Sequence, residues 1–290
     1  MERKMDNFWK CILPSILVMG LQFFVTGAVA FFLFAKKAHE FTQGSYNGFM
    51  KDLMDEVSSS GFNSIAMLSY AIVALIVFLP WYKKVFAPKG GEKWTFSKLT
   101  KKPVHFVGGV VLLAFGMQYV CVYLMNALAV LFPKWLAMYQ MLMESSGLTE
   151  QITVPIVLYT VIVGPICEEL AFRGLTMGYA KRFTSFWAAN VIQALLFAGM
   201  HMNPLQGIYT FLMGLLFGYL VHKSGTVVTG IILHMAFNAV GVLANSLIIA
   251  GSNPMQMFFV MFGAMVATYV GVRLVGGSLG TDTNGPKVCP

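Results

Sequence analysis

The fold class predicted by this sequence is an all-α, polytopic membrane protein, with about eight transmembrane helices around an intramembrane polar site. Three observations lead there. The first is composition: 57% of the 290 residues are apolar and only 11% charged, where soluble domains average about 45–50% and about 25%. Twelve acids and twenty bases cannot cover a soluble globule of this size, and the mean hydropathy is +0.71. An ordinary soluble enzyme is excluded. The second is the set of windows free of Asp, Glu, Lys and Arg: Cys11–Ala35, Val57–Tyr82, Pro103–Pro133, Phe183–His222 and Ser224–Val272. A helix needs about 20 residues to cross about 30 Å of hydrocarbon, so each of the last two windows holds two helices. Helices are expected because lipid leaves backbone groups no other partner, and the windows are too long and uniformly apolar for barrel strands.

The third observation is loop charge. With both termini cytoplasmic, 16 of the 20 Lys and Arg lie inside, while Lys36, Lys37, Lys51 and Lys134 lie outside. This is the positive-inside bias, and a missed span would destroy the alternation. It also explains most of the +8 net charge, so no nucleic-acid partner is needed; the lipid bilayer is the partner implied.

The elements follow in order. The first span, Ile12–Phe34, contains Ala28-Val29-Ala30, which resembles a leader cleavage site. The apolar run continues through Phe31-Phe32-Leu33-Phe34 to full span length, which favours a retained helix. The segment Ala38–Gly61 mixes acids, Ser and Gly and is expected as an external loop with a short amphipathic helix. Ser64–Trp81 is the second span, and the lysine-rich Tyr82–Lys102 stretch is a cytoplasmic loop that meets anionic headgroups. Val104–Phe132, Ile152–Ala171, Ser185–Met202, the short Gln206–Val221, Val227–Ile248 and Met255–Val272 complete the count. Residues 276–290, rich in Gly, Thr and Asn, are expected to be a disordered tail. The whole of 1–290 is one integral membrane domain, with its core at about 152–248. The four cysteines show no paired spacing and imply no disulfide framework.

The fourth span carries the most informative polar residues. Glu168 and Glu169 follow seventeen charge-free residues, and carboxylates in hydrocarbon mark sites, relays or buried pairs. Adjacent helical residues point about 100° apart, so the two glutamates have different roles. Arg173 lies four residues beyond Glu169 and can pair with it, which leaves Glu168 free for chemistry. Pro165, after Gly164, loosens the helix just ahead. His201 is the lone titratable group near the end of the fifth span. His234 and Asn238 lie at i and i+4 on the seventh. Three helices each place polar groups in a chain that uses them sparingly, and convergence on one cavity is the economical explanation. His39, His105 and His222 sit in a loop or near span ends and are assigned no role. Gly214 and Gly218 are read as a close-packing pair.

Two glutamates, two histidines and an asparagine suggest hydrolysis. Glu168 can deprotonate a water. Histidines with a carboxylate can equally hold a divalent ion of zinc type, with Glu168, His201 and His234 as its ligands. Asn238, with a histidine beside it, can donate to the oxyanion of a tetrahedral intermediate. The HExxH motif is absent, which excludes an ordinary zincin.

Glu168-Glu169-x-x-x-Arg173, Phe197-x-x-x-His201 and His234-x-x-x-Asn238 resemble the three motifs of the CPBP intramembrane protease family, the CAAX-protease and bacteriocin-processing (Abi) group. The likeness extends to Phe172, Gly174, the Gly214–Tyr219 stretch and Gly225, and runs from about Pro155 to Val240. Gln193, followed by Ala194, departs from it where relatives often carry serine. The resemblance implies a polytopic protease with Glu168 as general base, His201 helping to bind water, Glu169 and Arg173 as the supporting pair, and His234 and Asn238 on the oxyanion side. The substrate it implies is a peptide or membrane protein, lipidated in the eukaryotic branch, which removes the last three residues of prenylated CAAX proteins. Both metal-dependent and metal-independent glutamate chemistry have been described for the family. Lysine-heavy loops and compactness suit a prokaryotic cell membrane. Two other classes fit intramembrane Glu and His: a proton-coupled transporter, though no inverted repeat is visible, and a non-catalytic bacteriocin-immunity or scaffold protein. Straight-helix boundaries place Glu168 nearer the cytoplasmic side and His201 nearer the outer side, so either the fourth helix continues to about Ala180 or the fifth is tilted or broken.

Overall fold

The computed structural model describes residues 2–41, 45–86, 96–145, 153–243 and 253–279; within them the chain is helical, with no strand and one isolated bridge between Thr100 and Leu279. The helices are α1 (Glu2–Glu40), α2 (Tyr46–Val57), α3 (Ser60–Val85), α4 (Pro103–Leu131) and α5 (Pro133–Ser145). They continue as α6 (Val154–Ala180), α7 (Phe186–Gly199), α8 (Pro204–Ser224), α9 (Val227–Leu243) and α10 (Pro254–Ser278). Their starts follow local rules: the side chains of Ser59, Ser185, Asn203 and Asn253 cap α3, α7, α8 and α10, satisfying backbone N–H groups that have no intrahelical partner. Pro103, Pro204 and Pro254 sit in first turns, where a missing N–H is harmless. Gly225 ends α8 at φ 70°, a left-handed position where a side chain would be strained.

Each of the eight expected spans coincides with one helix. Six of these (α1, α3, α4, α6, α8 and α10) are long and apolar enough to cross a membrane. The other two, α7 and α9, are apolar but only 14 and 17 residues long. The amphipathic helix expected in the first external segment is α2, while α5 was not anticipated. The far end of the seventh span, to Ile248, lies outside the described residues. The tail needs correction at its start. α10 runs to Ser278, and Thr100 Oγ1 and Lys101 N both donate to the Ser278 carbonyl, at 2.7 and 3.3 Å. Buried hydrogen bonding holds 276–279 in place despite their glycines, and residues 280–290 lie outside the description.

Contacts fix the mutual directions of the helices. Ser64 meets Thr153 at 3.0 Å, Cys167 Sγ meets the Ala71 carbonyl at 3.1 Å, and Trp81 Nε1 donates to Tyr179 Oη at 3.0 Å, so α3 and α6 run parallel. Asn190 Nδ2 donates to the Leu215 carbonyl and Gln193 Nε2 to that of Gly214, which sets α7 antiparallel to α8. These directions match the alternation read from loop charge. The outer faces of α1 and α10 present Phe23, Phe24, Phe31, Phe32, Phe258 and Phe259, the apolar exposure that a bilayer stabilises.

Small residues let α4 and α10 pack backbone to backbone. A Cβ on Gly271 would lie 2.6 Å from Leu113 N, one on Gly116 2.7 Å from Thr268 N, and one on Gly109 2.8 Å from Val275 N. In lipid, close van der Waals packing of this kind is a main source of helix association. Gly271→Leu is expected to destabilise the protein by about 1–3 kcal/mol through overpacking, seen as a lower unfolding midpoint in detergent, whereas Gly263→Leu, with open space around its Cβ position, leaves the midpoint unchanged.

Candidate active site

The site is built on α6, α7 and α9, and α6 is irregular where it carries the glutamates. Two π-helical turns, Leu158–Val163 and Leu170–Thr176, flank the α-helical Gly164–Glu169. Such turns widen a helix and recur at functional sites. The first has a local cause. Gly164 N–H bonds the Tyr159 carbonyl, one residue further back than α-helical register, and Pro165 has no N–H to offer. The Thr160 carbonyl is therefore left without a helical donor, and Asn238 Nδ2 of α9 fills it at 2.8 Å. One of the residues singled out from sequence thus ties α9 to the loosened turn of α6, and its second N–H stays available.

A buried polar chain starts at Glu169, six residues beyond the first π-helical turn, and runs into the second. Arg173 Nη1 is 2.9 Å from Glu169 Oε1, both side chains being wholly buried. His234 Nδ1 lies 3.0 Å from the same oxygen; a carboxylate only accepts, so Nδ1 carries the hydrogen. The guanidinium rests 4.2 Å from the centroid of the Phe197 ring and 5.9 Å from that of Phe217, an arrangement in which the ring quadrupoles stabilise the cation. Gly230, one turn before His234, makes room for the carboxylate: a Cβ there would collide with Glu169 Oε2.

Glu168 points elsewhere, as the 100° step requires. Its side chain is 15% exposed, unlike its wholly buried neighbour, and its Oε2 stands 3.7 Å from His234 Nε2. The imidazole of His234 therefore spans the two carboxylates, hydrogen-bonded to one and facing the other. His201 enters through Phe197: its Nδ1 lies 2.9 Å from the Phe197 carbonyl, and its ring is 5.1 Å from the Phe197 ring. A carbonyl only accepts, so Nδ1 is the donor and Nε2 of the neutral ring is left as an acceptor. The chain turns sharply after it, with Met202 at φ 52° and Asn203 capping α8.

Five of the six residues named from sequence thus meet through direct contacts or the shared Phe197 ring, and Asn238 fixes the adjoining turn. The conflict of depth is resolved by helix length. α6 continues to Ala180 because Arg173, which reads as a span end, is paired and buried. Glu168 lies twelve residues before that end and His201 fifteen after the start of α7, so at 1.5 Å per residue they are about 18 and about 22 Å along their helices, and the His201 ring folds back towards Phe197. The trio Glu168, His201 and His234 does not form a metal-binding cluster as placed: among the described residues no group of three or more His, Cys, Asp or Glu does. Each imidazole has Nδ1 committed, to Glu169 or to the backbone, and Nε2 left for a substrate, water or ion.

Sequence reasoning missed the roles of Phe197 and Phe217 as faces for Arg173, and of Gly230. A signal for Gly230 exists in the i, i+4, i+8 spacing of Gly230, His234 and Asn238. Gln193, the departure noted above, is not at the site; with Asn190 it clamps α7 to α8, Nε2 donating to Asn190 Oδ1 and the Gly214 carbonyl, both at 2.8 Å. Gly214 and Gly218 are the close-packing face against that clamp, since a Cβ on either would meet Ala194 or Asn190. His39 and His105 are exposed, and His222 stacks on Phe186 with centroids 3.9 Å apart. Cys11, Cys121 and Cys167 are free thiols.

Comparison with known proteins bears on this site. Residues 150–240 match the family model described as Type II CAAX prenyl endopeptidase Rce1-like, in agreement with the CPBP resemblance. The match spans about a third of the chain and includes α6 to α9 up to Val240. No curated protein and no solved structure matches the chain. The apolar helices fit an integral, multi-pass membrane protein, and its segment 150–240 is similar to a family of membrane proteases.

Arg173→Met is expected to lower stability by about 3–5 kcal/mol, because Glu169 is left as an uncompensated buried charge. The double variant Arg173→Met/Glu169→Gln should recover much of that loss. Chemical unfolding in detergent of the two singles and the double measures both effects.

Proposed function

We propose that the protein is an intramembrane endopeptidase of the CAAX-protease-like type, hydrolysing a peptide bond with water activated by Glu168. The observation that carries this reading is the division of labour between adjacent glutamates. Glu169 is neutralised by Arg173 and His234 in a sealed pocket, while Glu168 is partly open beside His234 Nε2. A carboxylate free of a full ion pair in an apolar setting is a competent general base.

In the proposed reaction Glu168 takes a proton from water as its oxygen attacks the peptide carbonyl carbon. His201 Nε2 accepts the second water hydrogen and orients the nucleophile. The carbonyl π electrons move to oxygen, and the resulting oxyanion is met by the free N–H of Asn238 and by His234 in its doubly protonated form, in which Nδ1–H stays on Glu169 and Nε2–H donates to the oxyanion. Collapse breaks the C–N bond, and Glu168 returns its proton to the departing amine. No step needs a redox partner. Glu169 and Arg173 do not touch the reacting atoms; they hold His234 by its Nδ1 and thereby aim Nε2 at the site, a positioning role.

The substrate proposed is a peptide or membrane-protein segment, lipidated near the scissile bond and presented from the bilayer. The protein is placed in a prokaryotic cell membrane with both termini cytoplasmic, a topology supported by the 16-to-4 division of basic residues and by the mutual helix directions.

An internally quenched farnesylated peptide ending in a CAAX sequence tests the reading with purified protein in micelles. Wild type is expected to release the last three residues, and Glu168→Gln and His201→Ala to lose at least about 100-fold in kcat/KM while their unfolding midpoints persist. Cleavage at the wild-type rate by Glu168→Gln would overturn the mechanism. Peptides that accumulate in cells when Glu168 is replaced then identify the natural substrate.

A further inference from the structure

Tyr70 lies on α3, outside all three motifs. It is 3% exposed, and its hydroxyl is a buried polar atom with no hydrogen-bond partner. Buried tyrosine hydroxyls ordinarily find a partner, and leaving one unpaired away from water is destabilising. Its location says what that partner is. The Cys167 thiol donates to the Ala71 carbonyl at 3.1 Å, which brings together, across the α3–α6 contact, the turns that carry their chain neighbours Tyr70 and Glu168. The ionisable groups nearest that hydroxyl are Tyr159, Glu168 and Cys167. Of these three groups, the thiol is already engaged and Tyr159 is a second phenol; Glu168 alone is an anionic acceptor. Its carboxylate is also not locked, since the 3.7 Å separation from His234 Nε2 is longer than a hydrogen bond.

We propose that Tyr70 is a positioning residue for Glu168: its phenolic O–H donates to the Glu168 carboxylate and holds it at the angle from which it takes the proton of water. A modest rotation of the Glu168 side chain exchanges the loose approach to His234 for this bond. The inference rests on the proposed role of Glu168, and it adds to the motif residues a donor from a helix that lies outside the family-matched segment.

Two measurements test it. In lipid-reconstituted protein, the carboxylate infrared band that is lost in Glu168→Gln belongs to Glu168. That band is expected to shift in Tyr70→Phe, and an unshifted band overturns the proposal whether or not the protein is assayed for cleavage. With the farnesylated peptide, Tyr70→Phe should lose about tenfold in kcat, as for one hydrogen bond to a charged group, with KM within about twofold and an unfolding midpoint no lower than wild type. In a Glu168→Gln background the same change should have no further effect on residual cleavage, because the two residues act as one unit. Additive losses, or a lowered midpoint with kcat unchanged, assign Tyr70 a packing role and overturn the proposal. Full cleavage by Glu168→Gln instead refutes the role of Glu168 and leaves the infrared result to decide the pairing.

Discussion

The pairing of Glu169 with Arg173 inside the helix bundle is the constraint on which the rest of the site depends. Two opposite charges four residues apart on one helix are withdrawn entirely from solvent, and neither is tolerable there without the other. Much of the surrounding structure answers that requirement. Phe197 and Phe217 offer ring faces to the cation, His234 donates to the shared oxygen, and Gly230 leaves space for the carboxylate. The same contacts that neutralise the pair also orient His234, so stability and the disposition of the site's side chains come from one set of interactions.

A second dependence runs through the backbone of α6. Pro165 and the π-helical turn before it strand the Thr160 carbonyl, and Asn238 reaches across from α9 to fill it. A defect in one helix becomes the attachment point of another. Glu168 and Glu169 lie in the short regular stretch between the two π-helical turns, held by ties on either side: Asn238 ahead of them and His234 with Arg173 at and after them. This arrangement keeps a helix with an incomplete hydrogen-bond ladder from fraying in a medium that supplies no water.

Away from the site, the scaffold uses apolar packing and small residues. The α4–α10 pair is joined by glycine-mediated backbone contact, and α7 is clamped to α8 by Asn190 and Gln193 over Gly214 and Gly218. The clamp matters because α7, at 14 residues, is too short to cross a bilayer by itself at 1.5 Å per residue; it ends just before His201, and the chain then turns at Met202.

The all-helical, multi-span architecture was legible in the amino-acid order alone, because scarcity of charge and the length of apolar runs are properties that lipid reads directly. The alternation of basic loops likewise anticipated which helices run parallel. Spacing singled out Glu168, Glu169, Arg173, His201, His234 and Asn238 as polar groups that are costly in a membrane helix. Other features are not written locally. That Arg173 lies mid-helix and not at its end follows from burial against Phe197 and Phe217, residues 24 and 44 positions away. The direction of each imidazole and the burial of the Tyr70 hydroxyl without a partner follow from how separate helices pack. Hydropathy and periodicity describe one helix at a time, whereas the distance between side chains on different helices is set only when those helices meet.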